Sequence, residues 1–183
     1  MIFLLKTKSY RRDRAVSYAR KWAYARNPLF ADFSDLGGDC TNFVSQCLFA
    51  GCCTMNFTDT FGWYYVSPDN RAAAWTGVEY LFRFLLSNRE TGPFAEESEL
   101  SSLSPGDVVQ IGKGGALTHS LLVERREGRE LYLAAHTLDV RERPLSSYQF
   151  DSVRFLRILG FRTDETEKTD CFPPLYAGSS LIL

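Results

Sequence analysis

The chain has 183 residues, of which 45% are hydrophobic, so it is long enough to bury a substantial core in a single domain. It carries 21 basic and 22 acidic side chains, giving a formal net charge of −1. Because this balance creates no strong positive field, we expect neither nucleic acid nor a membrane surface as a partner.

The N-terminal residues 1–5 are apolar, and charged residues begin at Lys6. A secretory signal needs basic residues followed by roughly 7–15 apolar ones, and a membrane span needs roughly 20. Neither pattern occurs in the sequence, so we expect a soluble, unexported protein.

The five cysteines form an odd set without the spacing of a disulfide framework; they are Cys40, Cys47, Cys52, Cys53 and Cys171. Such usage is typical of a reducing compartment, in which thiols stay free. We therefore expect a cytoplasmic location.

The first half of the chain predicts three helices. Apolar residues recur at helical spacing over residues 10–26, and Pro28 ends this helix because the residue before proline avoids the helical region. A second helix is predicted over residues 40–50. A third is predicted after Asp69 and Asn70, which can cap it.

The second half predicts strands, at residues 108–111, 118–124, 131–137 and 152–159. Residues 89–104 read as a polar connection. Periodicity is lost from Thr163, so residues 163–183 are expected to form a poorly ordered tail. Helices followed by an antiparallel sheet indicate an α+β domain.

A cysteine opens the second predicted helix. Gly37 and Gly38 supply a flexible turn before it, and Asp39 is a capping type of residue. A thiol at a helix N-terminus is favoured as the reactive thiolate, and the free backbone N–H groups there can stabilise an oxyanion. Cys40 is therefore the candidate nucleophile.

Only two histidines occur, His119 and His136, on the strands that flank Glu127-Gly128. If Glu127-Gly128 is a two-residue hairpin loop, the two histidines lie directly opposite each other on one face of the sheet. One imidazole can then orient the other, as the third member of a catalytic triad does. We therefore expect His119 to be the base for Cys40 and His136 to orient His119.

Other interpretations of these residues exist. A buried cysteine often serves as a small apolar residue, and histidines can be ordinary sheet residues. Cys40, His119 and His136 could also bind zinc, although the chain lacks the closely spaced ligand pairs typical of zinc sites.

Three further residues have two interpretations each. Asp39 either caps the helix or binds an ammonium group of a substrate. Trp63 and Tyr64 either pack in the core or line a substrate groove.

These motifs resemble the putative amidase domain family, within the papain-like superfamily that includes NlpC-type cell-wall peptidases. The resemblance covers residues 10–160 and is most specific in the segment around Cys40. The matching pieces are residues 12–16, 18–19, 27–28, 37–48, 63–65, 75, 105–107, 118–120 and 135–137.

The resemblance implies a papain-like α+β domain over residues 1–162. It also implies hydrolysis of an amide or peptide bond through a thioester acyl-enzyme, without metal or cofactor. In this scheme Cys40 is the nucleophile, His119 the base and His136 the third member, with Asp139 as the alternative third member.

Peptidoglycan-derived peptides are the substrate class that the resemblance implies, for a monomeric enzyme. Because no export signal is found, such an enzyme would act on recycled wall fragments inside the cell, leave the cell by another route or by lysis, or cleave a different amide. The second hypothesis is a non-catalytic ligand-binding module on the same fold, and the third is a zinc-dependent hydrolase that uses Cys40, His119 and His136.

Overall fold

The fold was analysed on a computed structural model that describes residues 4–164 and 169–183. None of the helices in these two ranges is long and apolar enough to cross a membrane. The helices of the described residues are α1 (Arg12–Trp22), α2 (Cys40–Cys52), α3 (Ala73–Thr76), α4 (Val78–Ser87) and α5 (Phe172–Ala177).

Seven of the strands form one antiparallel sheet in the order β1-β9-β5-β6-β7-β8, and β4 pairs with β9 beside this path. The strands β2 and β3 form a separate pair. The predicted α+β class with an antiparallel sheet is confirmed. The strands are β1 (Lys6–Lys8), β2 (Tyr65–Ser67), β3 (Asn70–Arg71), β4 (Gly92–Ser98), β5 (Val108–Lys113), β6 (Ala116–Glu127), β7 (Glu130–Ala135), β8 (Val140–Pro144) and β9 (Ser152–Thr163).

The sheet has a core on each face. Leu122 of β6 belongs to the core that includes α2, whereas its neighbours Leu121 and Val123 belong to the core on the other face. This follows from the alternation of side chains along a strand. A shift of one residue in β6 therefore moves a side chain from the α2 face to the opposite face.

The first two predicted helices are present as α1 and α2, but the third is divided. Gly77 has an extended backbone (φ −106°, ψ 128°) and separates α3 from α4. Asn70 lies in β3 and does not cap a helix. The apolar spacing around Trp75 and Leu81 predicted helix correctly but did not show the break at glycine.

The segment 89–104 contains the strand β4, where the sequence predicted a polar connection. Gly92-Pro93 and Glu96-Glu97 give β4 no alternating pattern. It forms a strand because it pairs with β9 over seven register positions. This pairing is a tertiary constraint that local sequence does not contain.

The predicted register of the β6–β7 hairpin is wrong. Glu127 pairs with Glu130, so the loop is Gly128-Arg129, with Gly128 at a positive φ of 58°. Glycine is favoured at the first position of such a two-residue loop. An irregularity between Val123 and Arg125 shifts the register once more, and the two histidines are not cross-strand partners.

The C-terminal segment contacts the helices, contrary to the prediction of a poorly ordered tail for residues 163–183. The buried Asn27 side chain donates a hydrogen bond to the carbonyl of Leu175 (2.9 Å), and Trp22 Nε1 donates to that of Tyr176 (3.1 Å). Leu175 is fully buried. The part of that prediction covering 165–168 lies outside the described residues.

A disulfide bond joins Cys53 to Cys171, which corrects the prediction that all five thiols are free. Cys53 follows α2 and Cys171 precedes α5, so the bond fastens the C-terminal segment to the end of α2. Disulfides persist in oxidising compartments. The bond therefore does not favour the cytoplasmic location expected from the sequence.

Reducing this disulfide should destabilise the protein. The bond spans a sequence separation of 118 residues, and its loss gives the unfolded chain more conformational freedom. We expect the free energy of unfolding to fall by about 2–4 kcal/mol in urea titrations with a reductant. A Cys53→Ser/Cys171→Ser variant should show the same reduced stability with and without reductant, and a reductant effect in that variant would contradict the assignment.

Candidate active site

Cys40 is the first residue of α2, with 7% of its surface exposed. The turn before it uses Gly37 (φ 102°) and Gly38 (φ 113°), in a region that only glycine adopts readily. These two glycines allow the chain to reverse and place the thiol at the helix start, as the sequence predicted.

Asp39 precedes Cys40, and its carboxylate is fully buried and occupied by protein groups. Oδ1 accepts hydrogen bonds from the Phe33 backbone N–H (2.9 Å) and from Asn42 Nδ2 (2.8 Å). Oδ2 lies 2.6 Å from His136 Nδ1. Asp39 thus neither caps α2 through its side chain nor faces a substrate; it ties three segments together.

His136 is buried, and both ring nitrogens have partners. Nε2 lies 2.9 Å from the carbonyl oxygen of Trp22, which can only accept, so Nε2 carries a hydrogen. Nδ1 lies 2.6 Å from Asp39 Oδ2, and Arg26 Nε lies 3.6 Å from the same oxygen. The Phe43 ring stacks on the imidazole at 4.1 Å between centroids.

The first turn of α2 is left uncapped as a result. A helix N-terminus presents backbone N–H groups without intrahelical partners, which side chains usually satisfy. No described side chain caps the α2 terminus, because the Asp39 carboxylate is turned toward His136 and Asn42. These N–H groups therefore have no side-chain acceptor among the described residues.

His119 lines a cleft of about 330 Å³ at the end of the sheet. It pairs with Ile111 of β5. Because side chains alternate along a strand, His119 lies on the same face of the sheet as Leu121, whose side chain is in the core on the face opposite α2. Burial, aided by the positive charge of Arg143, lowers the pKa of His119 from 6.5 to about 4. The residues lining the cleft are Thr118, His119, Thr137, Leu138, Arg143 and Tyr148.

Cys40 and His119 are linked through their sequence neighbours. Thr41 Oγ1 and Ser120 Oγ are 3.0 Å apart, and Cys40 Sγ lies 3.8 Å from Thr41 Oγ1. Within the described ranges, no hydrogen bond joins Cys40 to either histidine. The structure therefore brings the two segments together without direct contact between thiol and imidazole.

The cleft reaches the start of α2 through Thr137. Its hydroxyl oxygen accepts the Asp39 backbone N–H (3.1 Å) and lies 3.4 Å from the place a Cβ would occupy at Gly38. The cleft wall and the turn before Cys40 are thus in contact. Larger side chains at Gly38 would press on this wall in addition to straining the backbone.

The other candidate residues lie elsewhere. Asp139 forms an ion pair with Arg26 (3.0 Å). Trp63 is fully buried, and its Nε1 donates to Ser45 Oγ (3.0 Å), so it is a core residue. Tyr64 is partly buried and stacks on Phe57 (5.1 Å between centroids).

The zinc alternative finds no support in the arrangement of ligands. In the described parts of the chain, no group of three or more His, Cys, Asp or Glu side chains could hold a metal ion. Cys40, His119 and His136 do not converge, since both nitrogens of His136 are occupied.

Of the six cleft residues, sequence analysis named only His119 as a site residue; it missed Thr118, Thr137, Leu138, Arg143 and Tyr148. Arg143 lies on β8, a strand that the sequence did not predict, and Tyr148 follows it. No motif marks either residue. Thr137 directly follows His136, so the histidine itself was a signal for it.

Removing the imidazole of His136 should destabilise the fold. The variant His136→Ala leaves the Asp39 carboxylate buried without its main partner, and breaking a buried pair in this way costs about 3–5 kcal/mol. Urea denaturation measures the loss. As a control, Asp139→Ala removes a partly exposed ion pair and should cost less than about 1 kcal/mol; equal costs would contradict the role given to His136.

The protonation of His119 should depend on Arg143. In Arg143→Gln the pKa of His119 should rise from about 4 toward 6.5, but not reach it, because burial is the larger cause of the shift. The imidazole is then protonated at a higher pH than in the unmodified protein. NMR titration of the two histidine Cε1–H signals, assigned with His119→Gln, measures this, and an unchanged His119 pKa would contradict the proximity of the guanidinium.

Comparison with known proteins identifies a family and a relative of similar sequence. The profile of a family described as a putative amidase domain matches residues 9–159. The uncharacterized protein YhbB of Bacillus subtilis (strain 168) is 34% identical over 139 residues, which are 73% of this chain and 43% of that protein. The chain thus spans less than half the length of this relative. No solved structure matches.

Proposed function

The chain belongs to the putative amidase domain family, and from this premise we propose that it is a cysteine-dependent amidohydrolase with Cys40 as its nucleophile. The family assignment itself suggests a hydrolase that acts on amides. The cysteine mechanism, the papain-like fold and the peptide substrate are the parts that we add.

The position of Cys40 at the uncapped start of α2 is the observation that carries the proposal. The thiol lies beside the backbone N–H groups of the first turn. The turn before α2 contacts, through Thr137, the wall of a cleft that His119 lines. A nucleophile and an oxyanion site must be adjacent for acyl transfer, since attack creates the oxyanion next to the nucleophile.

The reaction proceeds in two balanced steps. His119 takes the proton of Cys40, the sulfur attacks the amide carbonyl carbon, and the C–N bond breaks as His119 returns the proton to the leaving amine. Water then attacks the resulting thioester with His119 as base, which releases the carboxylic acid and restores the thiol. The products are one amine and one acid, with one water consumed.

His119 is neutral at physiological pH because its pKa is lowered to about 4, so it can accept a proton, although so low a pKa makes it a weak base in the absence of substrate. Proton transfer requires Cys40 Sγ and a ring nitrogen to come within hydrogen-bond reach. His119 lies on the face of the sheet opposite α2, so the proposed proton transfer requires the start of β6 to turn the imidazole toward the thiol when substrate binds.

His136 acts here as a positioning residue. Its bond to Asp39 holds the turn that carries Cys40 and keeps the carboxylate away from the first-turn amides. This role replaces the direct orientation of His119, because both nitrogens of His136 are engaged by Asp39 and Trp22.

Peptides derived from peptidoglycan are the proposed substrate class. The resemblance to NlpC-type peptidases supports it, and so does the Cys53–Cys171 disulfide, since a cell-wall environment is outside the reducing cytoplasm. A papain-like arrangement, with the nucleophile helix packed on an antiparallel sheet, is consistent with α2 lying against β6.

Substitution of Cys40 tests the mechanism. We expect Cys40→Ala to lose at least about 1,000-fold in hydrolysis of peptidoglycan stem peptides, measured by mass spectrometry of the products, because no other nucleophile replaces the thiol. Cys47→Ala is the matched control. Cys47 is fully buried in the same helix, burial raises its pKa, and its replacement should leave the rate within a few-fold.

Alkylation distinguishes an enzyme from a binding module on the same fold. A small alkylating agent should modify Cys40 faster than Cys47, and a tight-fitting peptide substrate should protect it. Full hydrolytic activity in Cys40→Ala would overturn the cysteine mechanism. Binding of stem peptides without any hydrolysis by the unmodified chain would favour the binding module instead.

A further inference from the structure

The cleft that contains His119 also contains a guanidinium without a carboxylate partner. Arg143 Nε donates to Ser147 Oγ (3.0 Å), and Nη2 donates to the Ser147 carbonyl (3.3 Å). In the described part of the chain no acidic side chain forms an ion pair with it. Two residues earlier, Arg141 is by contrast paired with the buried Glu124 (2.6 Å).

The cleft also contains an enclosed hydroxyl, that of Tyr148, whose hydrogen has no acceptor among the described residues. The nearby Arg143 can only donate to this oxygen. The Arg143 guanidinium lies 3.9 Å from the centre of the Tyr148 ring. Burial raises the pKa of Tyr148 above its usual 10.0, so the hydroxyl keeps its proton and can donate. Enclosed polar groups normally have partners, so this hydroxyl is a candidate donor to a bound ligand.

The charge of the cleft favours an anionic ligand. Its six lining residues include Arg143 but no aspartate or glutamate. A guanidinium and a phenolic hydroxyl together supply the donors that a carboxylate accepts, in the geometry that arginine offers to planar anions. A cavity of about 330 Å³ admits an amino-acid-sized group.

We infer that Arg143 and Tyr148 bind a free carboxylate of the substrate, so that the enzyme acts on amides whose acyl or amine part carries a carboxylate close to the scissile bond. This specificity rests on the proposed function. His119 lines the same cleft, so the bound carboxylate lies next to the proposed base.

A bound carboxylate also changes the pKa of His119, the proposed base. Arg143 contributes to the low pKa of His119, and a neighbouring negative charge offsets the positive one. The groups that face His119 across the cleft are Arg143 and Tyr148, of which only Arg143 is charged at neutral pH. Binding of the correct substrate therefore makes His119 a stronger base, whereas an uncharged amide does not.

The test uses a matched pair of peptides, N-acetyl-L-alanyl-L-alanine and its C-terminal carboxamide, titrated into the full chain by NMR. We expect the carboxylate peptide to bind at least about tenfold more tightly and to raise the His119 pKa, while the carboxamide does neither. Arg143→Gln should abolish the preference. Tyr148→Phe should reduce it without destabilising the protein, because it removes an enclosed hydroxyl whose hydrogen has no acceptor among the described residues.

Arg125→Gln is the matched control. Arg125 is also stacked on a tyrosine (3.7 Å to the Tyr132 ring) but is exposed and paired with Glu127 and Glu142, so this variant should keep the preference. Equal affinity for the two peptides, no binding of the carboxylate peptide, or a preference that survives Arg143→Gln would each overturn the inference.

The same experiment separates the two proposals. A carboxylate preference that depends on Arg143, together with full hydrolytic activity in Cys40→Ala, would refute the cysteine mechanism and leave the carboxylate site in place. Loss of hydrolysis in Cys40→Ala together with equal affinity for both peptides would refute only the carboxylate site.

Discussion

The carboxylate of Asp39 is the interaction on which the candidate site depends. It is fully buried, and its oxygens accept hydrogen bonds from the Phe33 backbone, Asn42 and His136. A buried carboxylate is costly unless it is fully paired, so these groups must be held in place around it. The loop before α2, the first turn of α2 and the end of β7 are thereby fixed to one another.

The aspartate before α2 stands at the usual capping position but has a different role. An aspartate there usually satisfies the first backbone N–H groups of the helix through its side chain. Here its side chain is committed to His136 and Asn42 and makes no capping hydrogen bond to α2. The first turn of α2, which carries Cys40, therefore has no side-chain cap.

A second buried aspartate holds another part of the fold together in a similar way. Asp107 accepts hydrogen bonds from the Ser104 N–H (2.8 Å), the Ile158 N–H (2.8 Å) and Arg12 (2.7 Å). Burial raises the pKa of this carboxyl despite those bonds. The Pro105-Gly106-Asp107 turn thus joins α1 to the start of β5 and to β9. This is a structural role for a sequence motif to which the sequence analysis assigned none.

The sequence determined the features that depend on local order. Glycines before a cysteine and apolar residues at helical spacing were enough to place Cys40 at the start of α2, and the strand pattern was enough to predict an antiparallel α+β fold. The tertiary structure decided which face each strand residue occupies. A glycine at position 128 and an irregularity beyond Val123 moved the hairpin register, which separated His119 from His136 and gave His136 to Asp39. Arg143 and Tyr148 entered the cleft, and Cys53 met Cys171, only because distant segments pair and dock. Register and docking depend on contacts between residues far apart in the chain, and a single residue's shift reverses a side chain's direction, so local pattern could not fix them.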